Sequence, residues 1–464
     1  MFIALVTRLL AAVFSKGFAF YDDHFLIIDV ADMWVNKIEL WYEHVGHRFT
    51  YQFAHYLLFH LLNFLSVDDP QAKMLVVRIL HAVYSTIMIY YAYKLVRELH
   101  SEEMAKRAGL LLALFWLFPF MSVRNLGEFV CVVPLLAGFY YLHTAEDNRF
   151  LILTGVLFAF AISFRFQLVF LFAGLVLVLA YQRHWKLILT VFTSSLITLF
   201  LIQGIPDIIS DGYPFESFFG TVNYNVDHAT DYLTGPWYRY ILLIFGILIP
   251  PSSFILIYGF FKSSRFTYIF WPTVFFIVMH SLFPNKQERF MLPVLPFILI
   301  LSVIGFEEIR QSETGKRFRR LLSSSMGWFY SVNLLLLVIF TFTYSKKSRV
   351  ESLAYLSQKT DISALIIERD EDKVPRPPLF YLNQREVPVY ELGKSDTVEN
   401  KNANYIIFLG EKNLDNRVQK IESVLGKNLE LKQIIGASLI DQIVYWLNPK
   451  HNINETSYIY KTGS

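Results

Sequence analysis

The stretch Phe20–Phe25 (FYDDHF) carries two adjacent carboxylates, Asp22 and Asp23, where the apolar run Met1–Phe20 gives way to an amphipathic, aromatic-rich stretch. Such a pair can simply end a membrane helix, because charged residues mark where spans meet water. It can also take a proton from a hydroxyl. Three more polar groups interrupt apolar runs: Arg124, Asn125 and Glu128 in SVRNLGE, Arg165 in ISFRFQ, and Lys286, Glu288 and Arg289 in PNKQERF. Charges at such depth are costly, so they partner one another or a ligand. Acids beside several cations at a lipid–water boundary suit a substrate whose leaving group is a lipid-anchored phosphate. The carboxylate takes the acceptor proton, and Arg and Lys hold the phosphate as its charge develops.

The elements that must position these groups are membrane helices. The 464-residue chain is 54% hydrophobic, 17% aromatic and only 17% charged, below the roughly 25% charged residues of soluble domains. Spans are expected at 2–20, 73–96, 108–122, 128–143, 150–164, 167–181, 187–203, 237–261, 266–283, 290–305 and 326–344, about eleven in all. Met1–Phe20 lacks a basic start and a small-residue cleavage site, so it reads as a retained first helix. Phe49–Leu65, interrupted by Gln52, His55 and His60, reads as part of an interface-lying loop. With the N-terminus inside, the inner loops carry Lys94, Arg97, Lys106, Arg107, Arg149, Arg183, Lys186, Lys262, Arg265 and the 310–320 cluster. That bias puts FYDDHF, the loop 204–236 and the tail on the outer face. The expected organisation is a transmembrane catalytic module, 1–344, with outer loops 21–72 and 204–236. A small soluble extracytoplasmic α/β domain, 345–464, follows it.

Other chemistries find little support. A net charge of +3 does not suggest a nucleic-acid partner. The single cysteine, Cys131, precludes an intramolecular disulfide. No His and Cys cluster has zinc-like spacing, and neither GxxxxGK[ST] nor GxGxxG after a strand occurs. A secondary transporter with an intramembrane charge relay is a competing reading, but the matched halves such folds show are not apparent. A receptor-like scaffold would leave the four polar groups without a purpose.

The motifs together resemble the mannosyltransferases of glycosyltransferase family 22, which use dolichyl or polyprenyl-phosphate mannose and have the GT-C membrane fold. FYDDHF matches the family's His-Pro-Asp-Glu-x-Phe at Asp22, Asp23 (as Asp for Glu) and Phe25, with Phe20 and Tyr21 in place of His and Pro. SVRNLGE resembles an Arg-Thr-x-x-Glu segment at Arg124 and Glu128, and ISFRFQ an Arg-Phe-Pro segment at Arg165 and Phe166. The stretch 218–240 resembles an Asn-rich loop leading into Tyr-Gly-x-x-Pro-Trp-x-Tyr, at Asn225, Tyr232, Gly235, Pro236, Trp237 and Tyr240. NKQERFMLPVLPFI matches His-Lys-Glu-x-Arg-Phe-x-x-Pro-x-x-Pro at Lys286, Arg289, Phe290, Pro293 and Pro296.

The resemblance implies a mainly α, polytopic GT-C-type helical bundle and an inverting transfer of a sugar, mannose first, from a polyprenyl or dolichyl phosphate. Another sugar or glycan from such a carrier is the nearest alternative. It implies no metal and no cofactor. Asp22 is the expected base, with Asp23 the alternative base or an acceptor-positioning group. Lys286 and Arg289, then Arg124 and Arg165, are expected to bind the donor phosphate, although either Arg124 or Arg165 could instead pair with Glu128. His24, Glu128, Asn225 and Trp237 are candidates for acceptor or sugar contacts, with Trp237 favoured as an interfacial residue. The partners expected are the lipid-phosphate sugar, a glycan or glycolipid acceptor and membrane lipids, with the protein a monomer. The expected compartment is a bacterial inner membrane with a periplasmic site, or the endoplasmic reticulum membrane with a lumenal site in a eukaryote.

Overall fold

The computed structural model describes all residues except 38–48, 211, 232, 373, 375, 397–401, 450–453 and 464, and the side chain of Asp22. The chain forms two compact units, and neither is one continuous segment. The first comprises Met1–Ala11, Glu39–Ala54 and Ile79–Thr341; the second comprises Ala12–Ile38, His55–Arg78 and Phe342–Ser464. Two stretches of the first loop, up to Ile38 and from His55, thus join the tail in forming one unit.

The first unit is helical. Pro70–Leu99, Trp185–Ser210 and Arg319–Thr341 are the described helices long and apolar enough to cross a bilayer alone. Phe2–Phe14, Asn148–Phe164, Phe166–Tyr181 and Thr267–Leu282 are apolar but shorter. Several expected spans are broken. The stretch 237–261 is two helices, Arg239–Ile247 and Ser252–Lys262, bent by 110°. Ile249 takes a positive φ of 62° and Pro250 and Pro251 follow, so the helical N–H ladder cannot continue there. The stretch 49–65, expected to be an interface loop, contains a regular helix, Phe49–Phe64.

The expected span 108–122 stops at Leu114 and resumes as Leu117–Ser122. Its freed backbone groups are met by side chains from elsewhere in the bundle. The Asn333 amide donates to the Leu114 carbonyl at 2.8 Å and accepts from the Trp116 N–H at 3.0 Å. The buried Arg8 guanidinium donates to the Leu112 and Ala113 carbonyls at 3.3 and 3.1 Å. A broken helix survives in an apolar medium only with such replacements. In the stretch 204–236, the buried Asp207 carboxylate accepts from Gln203 at 2.8 Å and from the Ser217 hydroxyl at 2.7 Å. This fixes the start of the helix Glu216–Asp227.

The tail folds around a five-stranded sheet. Its strands are β1 (Leu365–Arg369), β2 (Val389–Leu392), β3 (Tyr405–Leu409), β4 (Leu429–Ile435) and β5 (Ser457–Thr462), in the order β2-β1-β3-β5-β4. β1 pairs in parallel with β2 and β3, while β5 is antiparallel to β3 and β4. Period-two alternation divides the core. Ile366, Ile406 and Phe408 pack with Ile421 and Leu425 of the helix Leu414–Leu425. Leu365, Ile367, Tyr405 and Ile407 join Phe18, Phe25, Ile28, Phe59, Phe380 and Tyr381 in a second cluster. First-loop side chains therefore belong to the core of the tail's sheet.

At Gly17 the first segment of that unit touches the start of the tail. It bridges Ser345 in parallel pairing, and the Ser345 N–H donates to the Lys16 carbonyl at 3.0 Å. Gly17 has φ of 78°, and a Cβ there would collide with the Ser345 carbonyl oxygen. We expect Gly17→Ala to destabilise the solubilised protein by about 2 kcal/mol or more, from the left-handed backbone and the collision. Gly246→Ala, where a Cβ meets open space, should leave the apparent Tm unchanged or raised. Fluorescence-detected thermal unfolding checks both; a Gly17→Ala protein as stable as wild type would contradict the assigned backbone.

Candidate active site

In the first unit the structure gathers three of the four sequence groups. Glu128 begins a short helix, Gly127–Val130, after the loop that holds Arg124 and Asn125. Its carboxylate lies 3.1 Å from the Arg165 guanidinium and 3.2 Å from that of Arg289. All three side chains are buried. Arg165 sits where the helix Asn148–Phe164 ends in extended backbone, and Arg289 lies in the turn Glu288–Met291. Each is thus presented by a helix break. The Phe290 ring lies under both guanidinium groups, at 4.9 Å from Arg165 and 5.8 Å from Arg289. Two guanidinium groups thus converge on one buried carboxylate.

Arg124 is buried with its guanidinium 4.4 Å from the centroid of Phe120. Lys286 is buried too, but its ammonium is spent locally. It donates to the carbonyls of His280 at 3.1 Å, Ser281 at 3.0 Å and Phe283. These carbonyls close the helix Thr267–Leu282, where a cation also complements the helix dipole. Lys286 therefore contributes charge while its donors are held by backbone. The GPWYRY and NKQERF segments meet here. The Lys286 N–H donates to the Leu233 carbonyl at 2.8 Å, Tyr240 Oη donates to the Gln287 carbonyl at 3.2 Å, and Arg239 pairs with Glu288 at 2.7 Å. Asn225 bonds the Thr221 carbonyl on its own helix at 2.7 Å. Trp237 is 62% exposed against Tyr238, the placement of an interfacial residue. Tyr232 lies outside the described residues.

The acid pair belongs to the second unit. Asp22 and Asp23 lie on the five-residue helix Tyr21–Phe25; the Asp22 side chain lies outside the described residues. Asp23 is buried, and its Oδ2 accepts from the Ala19 N–H at 2.8 Å. His24 has no exposed surface, and its ring stacks between Phe18 and Tyr381, each at 5.2 Å. That burial leaves it no open face for an acceptor.

Sequence reasoning missed the groups around this helix. Asp29 and Asp32 lie on the next helix, Ile28–Asn36. Asp32 pairs with Arg385, and Arg376 donates to Tyr21 Oη at 2.8 Å and lies over the Phe25 ring at 5.5 Å. Asp29 sits 3.4 Å from His24 Nε2. Burial raises the Asp29 carboxyl to about 7, against the pull of Arg385 and Arg376 and a bond from the Phe380 N–H. Burial, helped by Arg385, lowers the His24 imidazole to about 3. Both are therefore neutral near pH 6. The signal available was the acids three apart in LIIDVADMW, a polar spacing inside an otherwise apolar run.

Two predictions follow from these charges. Glu128→Gln removes the carboxylate that two buried guanidinium groups share and should cost about 3 kcal/mol or more. Glu128→Gln combined with Arg165→Met should cost less than the sum of the two single changes, as a double-mutant cycle on apparent stability will show. The second concerns pH. Between pH of about 4 and 6.5 the unfolded chain carries one proton on His24, while the folded chain carries one on Asp29. The counts match, so the pair adds no slope to stability. With Asp29→Asn, the unfolded chain alone protonates His24, and stability should rise with pH through about 4 to 6.5. With His24→Phe, the folded chain alone protonates Asp29, and stability should fall as pH rises from about 4 towards 7. Slopes of the same sign in the two variants would contradict the neutral pair.

The chain is similar to several known proteins. The mouse GPI alpha-1,2-mannosyltransferase 3 is 25% identical over 289 residues, 61% of this chain and 53% of the relative. The human protein of the same name is 23% identical over 259 residues, 54% of this chain and 47% of the relative. The chain spans about half the length of the curated relatives it matches. Among solved structures, ArnT from Cupriavidus metallidurans bound to undecaprenyl phosphate superposes with a TM-score of 0.65 at 11% identity, covering 98% of this chain and 96% of that one. The apo oligosaccharyltransferase of Archaeoglobus fulgidus superposes with a TM-score of 0.54 at 10% identity, covering 90% of this chain and 70% of that one. The fold is thus the GT-C membrane fold expected from the sequence. Residues 1–369 match the sequence model of one family: the chain belongs to the Alg9-like mannosyltransferases.

Proposed function

We propose that this chain is an inverting membrane mannosyltransferase that moves mannose from a polyprenyl or dolichyl phosphate to a hydroxyl of a glycan or glycolipid. The observation that carries the reading is the convergence of the Arg165 and Arg289 guanidinium groups on the buried carboxylate of Glu128. Guanidinium groups held ready in this way favour a state in which negative charge grows on a phosphate leaving group. The transfer also needs a base. Asp22 takes the acceptor proton as the hydroxyl attacks the anomeric carbon, and Asp23, held by the Ala19 N–H, fixes the helix that presents it. One base opposite the leaving group gives inversion.

Family membership supports the sugar, and the relatives named for GPI mannosyl transfer support a glycolipid acceptor. The ArnT structure bound to undecaprenyl phosphate supports a polyprenyl carrier. The reaction takes place on the extracytoplasmic face, which is periplasmic in a bacterium and lumenal in the endoplasmic reticulum. The protein acts as a monomer and without a metal.

Protein reconstituted in liposomes with radiolabelled polyprenyl-phosphate mannose and candidate glycolipids tests this. Wild type should yield labelled product, with inverted anomeric configuration, equally in the presence of a chelator. Asp22→Asn should lower kcat/KM by about 10²–10⁴-fold with unchanged apparent Tm. Near-normal turnover by Asp22→Asn would remove it as the base. Ion-coupled uptake with no covalent product would replace the enzyme with a transporter.

A further inference from the structure

The last membrane helix, Arg319–Thr341, leads into a segment held with unusual firmness. The Ser345 N–H is tied to the Lys16 carbonyl at 3.0 Å. The next two N–H groups, of Lys346 and Lys347, donate to the two oxygens of Asp441 at 2.9 and 3.0 Å. Three consecutive residues are thus anchored to two elements remote in sequence. Between the anchors Lys346 takes φ of 52° and ψ of 41°, left-handed backbone that a non-glycine residue adopts only when its surroundings insist. The helix Lys347–Ser357 starts directly after it.

This backbone sends the Lys346 side chain to the acid helix. Its Nζ stands 5.1 Å from the centroid of Phe18, three residues before Tyr21–Phe25. The side chain is half-buried. Its ammonium has the Phe18 ring face but no hydrogen-bond acceptor among the described residues. The contrast with Lys286 is direct: there three carbonyls occupy the three donors; here the donors are unspent. A cation fixed on an aromatic face, partly desolvated and with N–H groups to give, is built to receive an anion.

We propose that Lys346 binds the phosphate of the polyprenyl donor beside the acid helix. This rests on the reading of the chain as a polyprenyl-phosphate sugar transferase and assigns that substrate a ligand which the sequence motifs did not supply. In the transfer, the bond from the anomeric carbon to the phosphate oxygen breaks as the bond to the acceptor oxygen forms. The acceptor proton passes to the carboxylate, and the electron pair leaves with the phosphate. Lys346 then faces the oxygen on which that charge arrives.

Titration supports the assignment. Burial and the neighbouring Arg349 lower the Lys346 ammonium to about 8, against the pull of Asp23 on the first loop and Asp441 on the helix Leu439–Leu447. Arg349 itself feels Arg369, Asp441 and Glu455. A docked phosphate raises the ammonium again. Affinity for undecaprenyl phosphate, a monoester, should therefore hold between pH of about 6 and 8 and fall as pH rises beyond 8, where that phosphate stays doubly charged.

The test uses the full chain in nanodiscs, with undecaprenyl phosphate, undecaprenol, inorganic phosphate and phosphatidic acid as probes in equilibrium titrations. Wild type should prefer undecaprenyl phosphate to all three others. Lys346→Met should weaken that binding about ten- to a hundredfold and leave undecaprenol unchanged. Lys346→Arg should stay within a few-fold of wild type and lose the decline above pH 8. An apparent Tm shared by the three proteins will separate binding from folding. Undiminished undecaprenyl phosphate binding by Lys346→Met, with wild type still preferring phosphate over alcohol, would overturn the role of Lys346 and leave the transferase reading intact. Equal wild-type affinity for phosphatidic acid would make this a general lipid headgroup site and overturn the donor assignment. No wild-type preference for phosphate over alcohol would overturn the donor reading itself.

Discussion

The pairing of Asp32 with Arg385 is the interaction on which the acid loop depends. The helices Tyr21–Phe25 and Ile28–Asn36 place Asp23, His24, Asp29 and Asp32 in buried positions. Four polar groups in so short a stretch cannot fold into an apolar core unaided, because each loses its water. The Ala19 N–H meets Asp23, and the tail meets the other three and Tyr21. Arg385 meets Asp32, the Phe380 N–H meets Asp29, Tyr381 covers the His24 ring, and Arg376 holds Tyr21. The His24–Asp29 pair is met differently: both groups stay neutral, which removes the cost of burying charge. The loop that carries the acids and the domain that follows the last span are one folding unit for this reason.

The same rule governs the helical unit. Glu128 is met by two guanidinium groups, and the Lys286 ammonium by carbonyls at a helix end. Arg8 and Asn333 spend their donors on a broken helix. Breaks in the spans and buried polar side chains occur together, since each satisfies the other. Two guanidinium groups are thereby held together at Glu128, the arrangement from which the proposed chemistry follows.

Much of this was legible in the sequence. The membrane class, the polar groups in apolar runs and the α/β tail follow from composition and from periodicity that packing did not override. Pairing Arg165 with Glu128 was within reach, because a buried carboxylate between two spans requires a cation. Other features were not legible. The span break at Leu114 depends on Asn333, more than two hundred residues distant, and no local signal reports it, whereas Pro250 and Pro251 mark the break after Ile247 in the sequence itself. Lys286 looked like a phosphate ligand because its motif is specific, but its reach to three carbonyls is a matter of geometry. Lys346, in TYSKKSR, reads as an ordinary flanking lysine; only the Asp441 anchor and the left-handed backbone single it out. Arg376 and Arg385 lie in a proline-rich connection that gives no hint of contact with a loop some 350 residues earlier.

The central claim, that tail arginines hold the acid loop in its fold, is tested most directly by hydrogen–deuterium exchange of the full chain, comparing wild type with Arg385→Met. The account predicts faster exchange across Tyr21–Asn36 in the variant, with the helices Pro70–Leu99 and Arg319–Thr341 unchanged. Exchange over Tyr21–Asn36 as slow as in wild type would contradict it.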